Sequence, residues 1–258
     1  MVVTLLALTA LVAINLVNGK AGGIAAYGGF GRPVTWLVTL VLFAALLAAA
    51  GFLIKKRVDG IFIDERNRIS LSRVQLVLWT LLLVGALFTA ALSNFSIGWS
   101  TPLQITVPPS VWALLGIGSF SFVAAPAILN RLKAQGAAPT RLATIDTRLR
   151  AADGFTGSVT ATGPVVEKPT PQDARWADVI RGDTNDADYV DVAKVQQLAF
   201  TVLLIVVYGA ALFAALAAVG AGGVPKELTE FPAVDGGFVS LLGLSHAAYL
   251  ASKAVPKP

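Results

Sequence analysis

Five apolar runs, each about as long as a bilayer is thick, restrict this chain to a membrane architecture more tightly than any other feature. A hydrocarbon core ~30 Å deep takes roughly 20 residues in helical form. The stretches 2–18, 34–54, 72–93, 108–129 and 195–219 all meet that requirement. A sixth stretch, 236–252 (GGFVSLLGLSHAAYLAS), is shorter and carries Ser240, Ser245, His246 and Tyr249. Hydropathy alone leaves it between a span and an interfacial helix. Composition agrees with the runs: 55% of residues are hydrophobic and 14% charged, with a mean hydropathy of +0.72, against about 25% charged residues in soluble domains. The first run lacks a basic leading region and a clean small-residue cleavage site, so it reads as a retained helix rather than a secretory signal. Cysteine is absent, which removes disulfides, thiolate nucleophiles and Cys-based metal sites.

Basic residues set the direction. Lys55, Lys56, Arg57, Arg66, Arg68 and Arg73 lie between the second and third runs. Arg131, Lys133, Arg141, Arg148, Arg150, Lys168, Arg175, Arg181 and Lys194 lie between the fourth and fifth, and Lys253 and Lys257 close the chain. The other side has Lys20, Arg32 and Lys226. The positive-inside rule therefore predicts both termini in the cytoplasm, which six spans satisfy, with Trp36, Trp99 and Trp112 near the outer interface. Because the basic residues flank apolar runs, topology accounts for the net charge of +5 better than nucleic-acid binding does.

The third and fifth runs open alike. SRVQLVLWT at 72–80 returns as AKVQQLAFT at 193–201, with Arg73, Gln75 and Trp79 over Lys194, Gln196 and Phe200. The returning helices also match: WALLGIGSFSF at 112–122 over VSLLGLSHAAY at 239–249, which sets Ser119 over His246. This predicts two helix pairs of the same orientation, a parallel repeat about an axis along the membrane normal. The repeat also favours a span for the sixth stretch. Arg73 and Lys194 are read as topology anchors whose charged ends reach the headgroups. Gln75, Gln196, Ser119 and His246 are the candidate polar residues, either bonding helix to helix or lining a pore. Small-residue ridges at Gly243, Ala247 and Ala251, at Ala210, Ala214 and Ala218, and at Ala44 and Ala48 predict close helix approach, within one chain or between copies.

The polar segments carry no convincing catalytic constellation. In KKRVDGIFIDERNRISL at 55–71, Asp64 and Glu65 beside Arg66 and Arg68 read as a solvated ion-pair patch. In the segment 131–192, TRLATIDTRLRAADG predicts a basic amphipathic helix lying on the headgroups and ending at Gly154. GFTGSVTATGPVVEKPTP predicts a small hairpin or an extended linker. DARWADVIRGD places Trp176, Val179 and Ile180 on one helical face as a partner-docking candidate. Asp183, Asp186, Asp188 and Asp191 lack the glycine and terminal glutamate of an EF-hand loop, so an acidic cluster at the start of the fifth run, with Asp191 near the helix dipole, is the better reading.

Five segments, LIKKRVDGIFIDERNRISLSRVQLVLWT, LLGIGSFSFVAAPAI, RWADVIRGD, VDVAKVQQLAFT and FVSLLGLSHAAYLASKAVP, together spanning residues 52–258, resemble a group of uncharacterised bacterial multi-pass inner-membrane proteins. The resemblance implies a bacterial inner-membrane location and the six-span plan, and brings no reaction, substrate or catalytic residue with it.

The expected fold is an all-α membrane protein of about six transmembrane helices, the last four forming two parallel-repeat pairs. Its regions are 1–54, an N-terminal two-helix membrane region; 55–71, a cytoplasmic connection; 72–130, the first repeat pair; 131–192, the cytoplasmic segment; and 193–258, the second pair with the C-terminal tail. The expected function is a non-enzymatic scaffold or anchor, without cofactor or metal, that contacts lipid, self-associates and docks a cytoplasmic or membrane protein through 131–192. The alternative is an oligomeric ion channel or pore, ahead of a transporter because few charges lie within the spans.

Overall fold

A computed structural model describes residues 2–19, 31–134, 136–218 and 227–255; Lys20, Lys226 and Lys257, used above for topology, lie outside them. Among the described residues seven α-helices follow in order: α1 (Val2–Gly19), α2 (Arg32–Lys55), α3 (Leu71–Ser96), α4 (Pro109–Lys133), α5 (Leu142–Asp153), α6 (Val192–Ala217) and α7 (Gly236–Ala254). Between α5 and α6 lies a two-stranded antiparallel hairpin of β1 (Thr160–Thr162) and β2 (Val165–Glu167). Among the described residues, α2, α3, α4 and α6 are long and apolar enough to cross a membrane, so the chain is a predominantly helical, membrane-embedded protein. Of these four, α3 is the most enclosed: half of its most apolar window is buried, against 11% in α2.

The backbone divides into two compact units. The first comprises Met1–Ala50, Leu78–Ala113 and Leu203–Gly236. Here α2 meets α3 through the edge-to-face pair Phe43–Phe88, at 5.7 Å between ring centroids, and through the buried hydroxyls of Thr39 and Thr89. Gly85 makes that approach possible, since a Cβ there would sit 2.8 Å from Leu40 Cδ2. The loops are tied by side chains that replace missing backbone partners. The Asn94 amide donates to the Leu228 carbonyl at 3.0 Å and accepts from the Leu228 N–H at 3.1 Å. Thr106 forms a parallel bridge with Glu230, and the Tyr208 hydroxyl donates to the Pro232 carbonyl.

The second unit comprises Gly51–Val77, Leu114–Val202 and Gly237–Pro258. It holds the polar segments, which form a folded body. After α2 the chain turns back so closely that Gly51 and Gly60 face each other; a Cβ on Gly60 would lie 2.6 Å from the Gly51 carbonyl oxygen. A tight turn follows. Ile63 bridges Ile69, both 1% exposed, and Asn67 takes φ +58, a left-handed conformation that asparagine tolerates better than most residues. This turn carries Arg66 and Arg68 inward, to 5% and 1% exposure. Of the residues read above as a solvated patch, Arg66 and Arg68 are therefore buried and Asp64 half-buried, while Glu65 is exposed.

The helix α5 ends at Gly154, φ +72, whose N–H returns to the Arg150 carbonyl in the manner of a glycine C-cap. Its apolar face does not rest on headgroups as expected. Ile145 and Leu149 pack with Phe155, Val159, Val166 and Ala187, because the hairpin supplies an apolar partner closer than any lipid. The segment 176–179 also departs from expectation. It is a single 3₁₀ turn that buries Val179 while leaving Trp176 exposed and Ile180 half-buried, since an adjacent buried Asp178 draws the backbone inward.

Substituting Gly60→Ala is expected to destabilise the protein by about 1–3 kcal/mol, the range for forced overpacking, because the new Cβ would meet the Gly51 carbonyl and the Lys55 Cβ, neither of which is the end of a flexible side chain. Thermal unfolding in detergent, compared with Gly116→Ala, where a Cβ would meet nothing within 4 Å, checks this.

Candidate functional site

Two polar clusters are buried in the second unit. The first centres on Asp183, which the chain reaches just after Gly182, where a Cβ would collide with the Asp186 carboxylate. The Asp183 carboxylate accepts from the Arg66 guanidinium at 2.6 Å and from Lys194 Nζ at 3.0 Å on one oxygen, and from Lys253 Nζ at 2.5 Å on the other. These cations come from the 55–70 turn, the first turn of α6 and the last turn of α7. Asp64 holds the other side of Arg66 at 2.6 Å. A neighbouring pair of carboxylates, Asp153 and Asp178, takes Lys168 at 2.8 and 2.9 Å and Arg181 at 2.7 and 3.6 Å. Arg68 joins the two groups by donating to the Gly182 carbonyl at 2.8 Å while lying 3.7 Å from Asp178.

Burial by itself would raise the Asp183 pKa, but Lys194, Lys253 and Arg66 overcome it and hold the carboxyl well below the usual range. For Asp64 burial is again the largest influence and is again outweighed, here by Arg66. Asp153 is likewise lowered, by Arg181 and Lys168 against burial. At Lys168 burial wins, and its pKa falls despite Asp178.

The second cluster takes one level of polar side chains from four helices. Gln75 of α3 donates to Thr201 of α6 at 2.6 Å, and Gln197 of α6 donates to the Gln75 side-chain carbonyl at 2.9 Å. His246 of α7 lies with Nδ1 2.5 Å from the Ser121 hydroxyl of α4 and 3.2 Å from the Gln197 amide. If both groups donate, Nδ1 is the acceptor and the ring proton sits on Nε2. Thr201 closes the set by donating to the Gln197 carbonyl at 2.9 Å. Each of these five side chains is buried.

The expected candidates separate accordingly. Gln75 and His246 are in the cluster. Gln196 and Ser119 are exposed, and Gln197 and Ser121 take the inward places. On an α-helix one residue is a rotation of roughly 100°, so matching basic residue to basic residue sets the two helices out of phase. The inward stripe of α3 runs Ser72, Gln75, Trp79, Leu82 and that of α6 runs Lys194, Gln197, Thr201, Leu204. Gly118, Ser121 and Ala125 of α4 similarly correspond to His246, Tyr249 and Lys253 of α7. Lys194 is consequently no headgroup anchor, being 4% exposed and bound to Asp183. Arg73 remains partly exposed, over the Phe122 ring.

Sequence reasoning missed Asp183 as a centre because four aspartates crowd into ten residues. Each has a separate partner: Asp186 binds Thr184, Asp188 pairs with Arg141 and Arg148, and Asp191 caps α6 through the Ala193 N–H. Among the described residues, no three His, Asp or Glu side chains are placed to hold a metal. Both clusters cross-link the chain, although among the described residues Arg68 Nε and Nη2 and Gln197 Oε1 are buried without a hydrogen-bond partner.

Asp183→Asn removes the charge that balances three buried cations and is expected to destabilise by about 3–5 kcal/mol, read as a lowered unfolding temperature in detergent. The depressed Asp183, Asp64 and Asp153 values give a sign for pH. Their stabilisation is fully present above the unfolded aspartate pKa of about 3.9 and is lost as pH falls through the lower folded values. Stability should thus hold from neutrality to about pH 5 and collapse below about pH 4, with a shallower acid limb in Asp64→Asn. Gln197→Leu should destabilise by about 1 kcal/mol and Gln196→Leu by less than about 0.5, a comparison that checks the helix phase directly. The chain matches no protein-family model, no curated protein and no solved structure.

Proposed function

We propose that the protein is a non-enzymatic scaffold of the bacterial cytoplasmic membrane that presents its polar body as a docking platform. The observation carrying this reading is that exposed aromatic side chains stand on a body clamped to helix ends by buried ion pairs. Trp176 is 54% exposed and stacks at a tilt on Phe62 at 5.4 Å. Tyr189, 49% exposed, lies beside Arg141 and Arg148, which approach its ring at 5.2 and 5.4 Å. Aromatic residues and arginine are the side chains that most often anchor protein interfaces, and a rigid support lowers the ordering entropy that docking must overcome. In this reading Trp176 does the docking, with Tyr189 in place of the buried Val179.

The same proposal takes six spans with both termini cytoplasmic, α1 and α7 completing the four long apolar helices, and treats α3–α4 and α6–α7 as duplicated parallel pairs. Self-association is supported by Ala210 and Ala214 on α6, by Ala218 just past its end and by Ala247 and Ala251 on α7, small residues left exposed in the single chain. The second reading, an oligomeric channel, draws on the Gln75–Gln197–His246–Ser121 cluster. Its side chains are mutually bonded, which favours cross-linking over conduction.

Trp176→Ala and Tyr189→Ala should each weaken a co-purifying partner by about tenfold, measured on the gently solubilised native complex, while the unfolding temperature stays unchanged. Reconstituted liposomes should show no ion or dye flux across voltage and pH. A sustained conductance altered by His246→Ala would replace the scaffold reading with the channel one.

A further inference from the structure

One cleft in the second unit borders the Asp183 cluster, sharing Asp64, Arg66 and Lys253 with it, and is lined otherwise by residues of neither cluster. It has a volume of about 30 Å³ and opens where α3 begins and α4 ends. Ser70, Ser72 and Arg73 form one wall, while Phe122, Pro126 and Leu129, spaced along a single face of α4, form the other. One wall is polar and the other apolar, and both belong to helices apolar enough to span a membrane.

The cations around the cleft are not equivalent. Arg66 is held by Asp64 and Asp183, Lys253 by Asp183, and Lys133 by Glu167 at 2.7 Å. Arg73 has no carboxylate and no hydrogen-bond acceptor among the described residues; its guanidinium lies 6.0 Å from the centre of the Phe122 ring. Of the acids lining the cleft, Asp64 is already paired with Arg66, and Glu65 is exposed. The backbone adds donors beside Arg73. The first amide of α3 with an acceptor one turn back is that of Val74, bonded to the Ser70 carbonyl at 3.1 Å. The amides of Leu71, Ser72 and Arg73 precede it, at the positive end of a 26-residue helix. A guanidinium with free donors next to a helix N-terminus is the chemistry that receives a tetrahedral oxyanion.

We propose that this cleft binds a phosphate group, with Arg73 and the opening amides of α3 as donors. A phospholipid headgroup and a free phosphate ion share that chemistry. The apolar α4 wall favours the lipid, whose acyl chain would lie along Phe122, Pro126 and Leu129. The inference rests on membrane embedding and not on the docking reading, so lipid binding and partner docking fail or succeed separately.

Native mass spectrometry of the full chain in detergent, titrated with phosphatidic acid, tests it. One retained lipid per chain is expected, with Arg73→Gln weakening retention about tenfold, the loss expected of one charge-assisted contact. Arg131→Gln, which alters an exposed cation outside the cleft, should bind like the parent. Pro126→Trp, which fills the apolar wall and leaves the donors intact, should weaken lipid retention without lowering the unfolding temperature. Inorganic phosphate at equal concentration should not displace the lipid; displacement would assign the cleft to the free anion and overturn the lipid source. Equal retention by the parent and Arg73→Gln, or an equal loss in Arg131→Gln, would overturn the phosphate site altogether.

Discussion

The Asp183 carboxylate is the constraint around which the second unit is arranged. A charge taken out of water is tolerable only when opposite charges and hydrogen bonds replace the solvent, and here the replacements come from three separated parts of the chain. The turn at Ile63–Ile69, the start of α6 and the end of α7 must all be in place before the carboxylate is satisfied. That dependence joins the polar body to helix ends more firmly than the exposed ion pairs elsewhere on it, such as Arg148–Asp188, where water competes. Buried ion pairs are a weak source of net stability, yet they are sensitive to position, because a displaced partner leaves its charge unbalanced.

Below this charged layer the helices are joined by neutral polar groups. Gln75, Ser121, Thr201, Gln197 and His246 are buried and bonded to one another. Apolar side chains gain little by leaving lipid for a helix contact, so hydrogen bonds and close packing select which helix faces meet. This is the physical reason that Gln75 and Gln197 select a helix contact that leucines alone would leave open. The same ordering, charge first and neutral polarity next, suits a rigid support better than a gate. A gate needs two arrangements of similar energy, and here Gln75, Thr201, Ser121 and His246 are each tied to a particular partner.

Much of the fold is readable in the residues. The α2, α3, α4 and α6 runs announce themselves by length, Gly154 marks the end of α5, and the turn residues Gly163 and Pro164 sit where β1 meets β2. The candidate site is less legible, for two reasons. In VQQ and SFS, neighbouring polar residues have the same composition, and only the rotation of the helix against its neighbours chooses Gln197 over Gln196 and Ser121 over Ser119. In the polar segments, Arg66 and Lys194 look like any membrane-flanking cations. Their burial depends on an aspartate more than ten residues from either of them.

The amino-acid sequence by itself determined that this chain is helical and membrane-embedded, since runs of twenty apolar residues have no other stable disposition in water or lipid. It also determined which residue types are available to join the helices, and it ruled out thiol chemistry. The tertiary structure alone decided which of those residues face inward and which cations share a carboxylate. It also decided that the apolar face of α5 meets the hairpin and that Arg73, among the described residues, meets the Phe122 ring and no carboxylate. These are matters of distance between segments remote in the chain, and burial makes an unpaired charge expensive only once those segments have met.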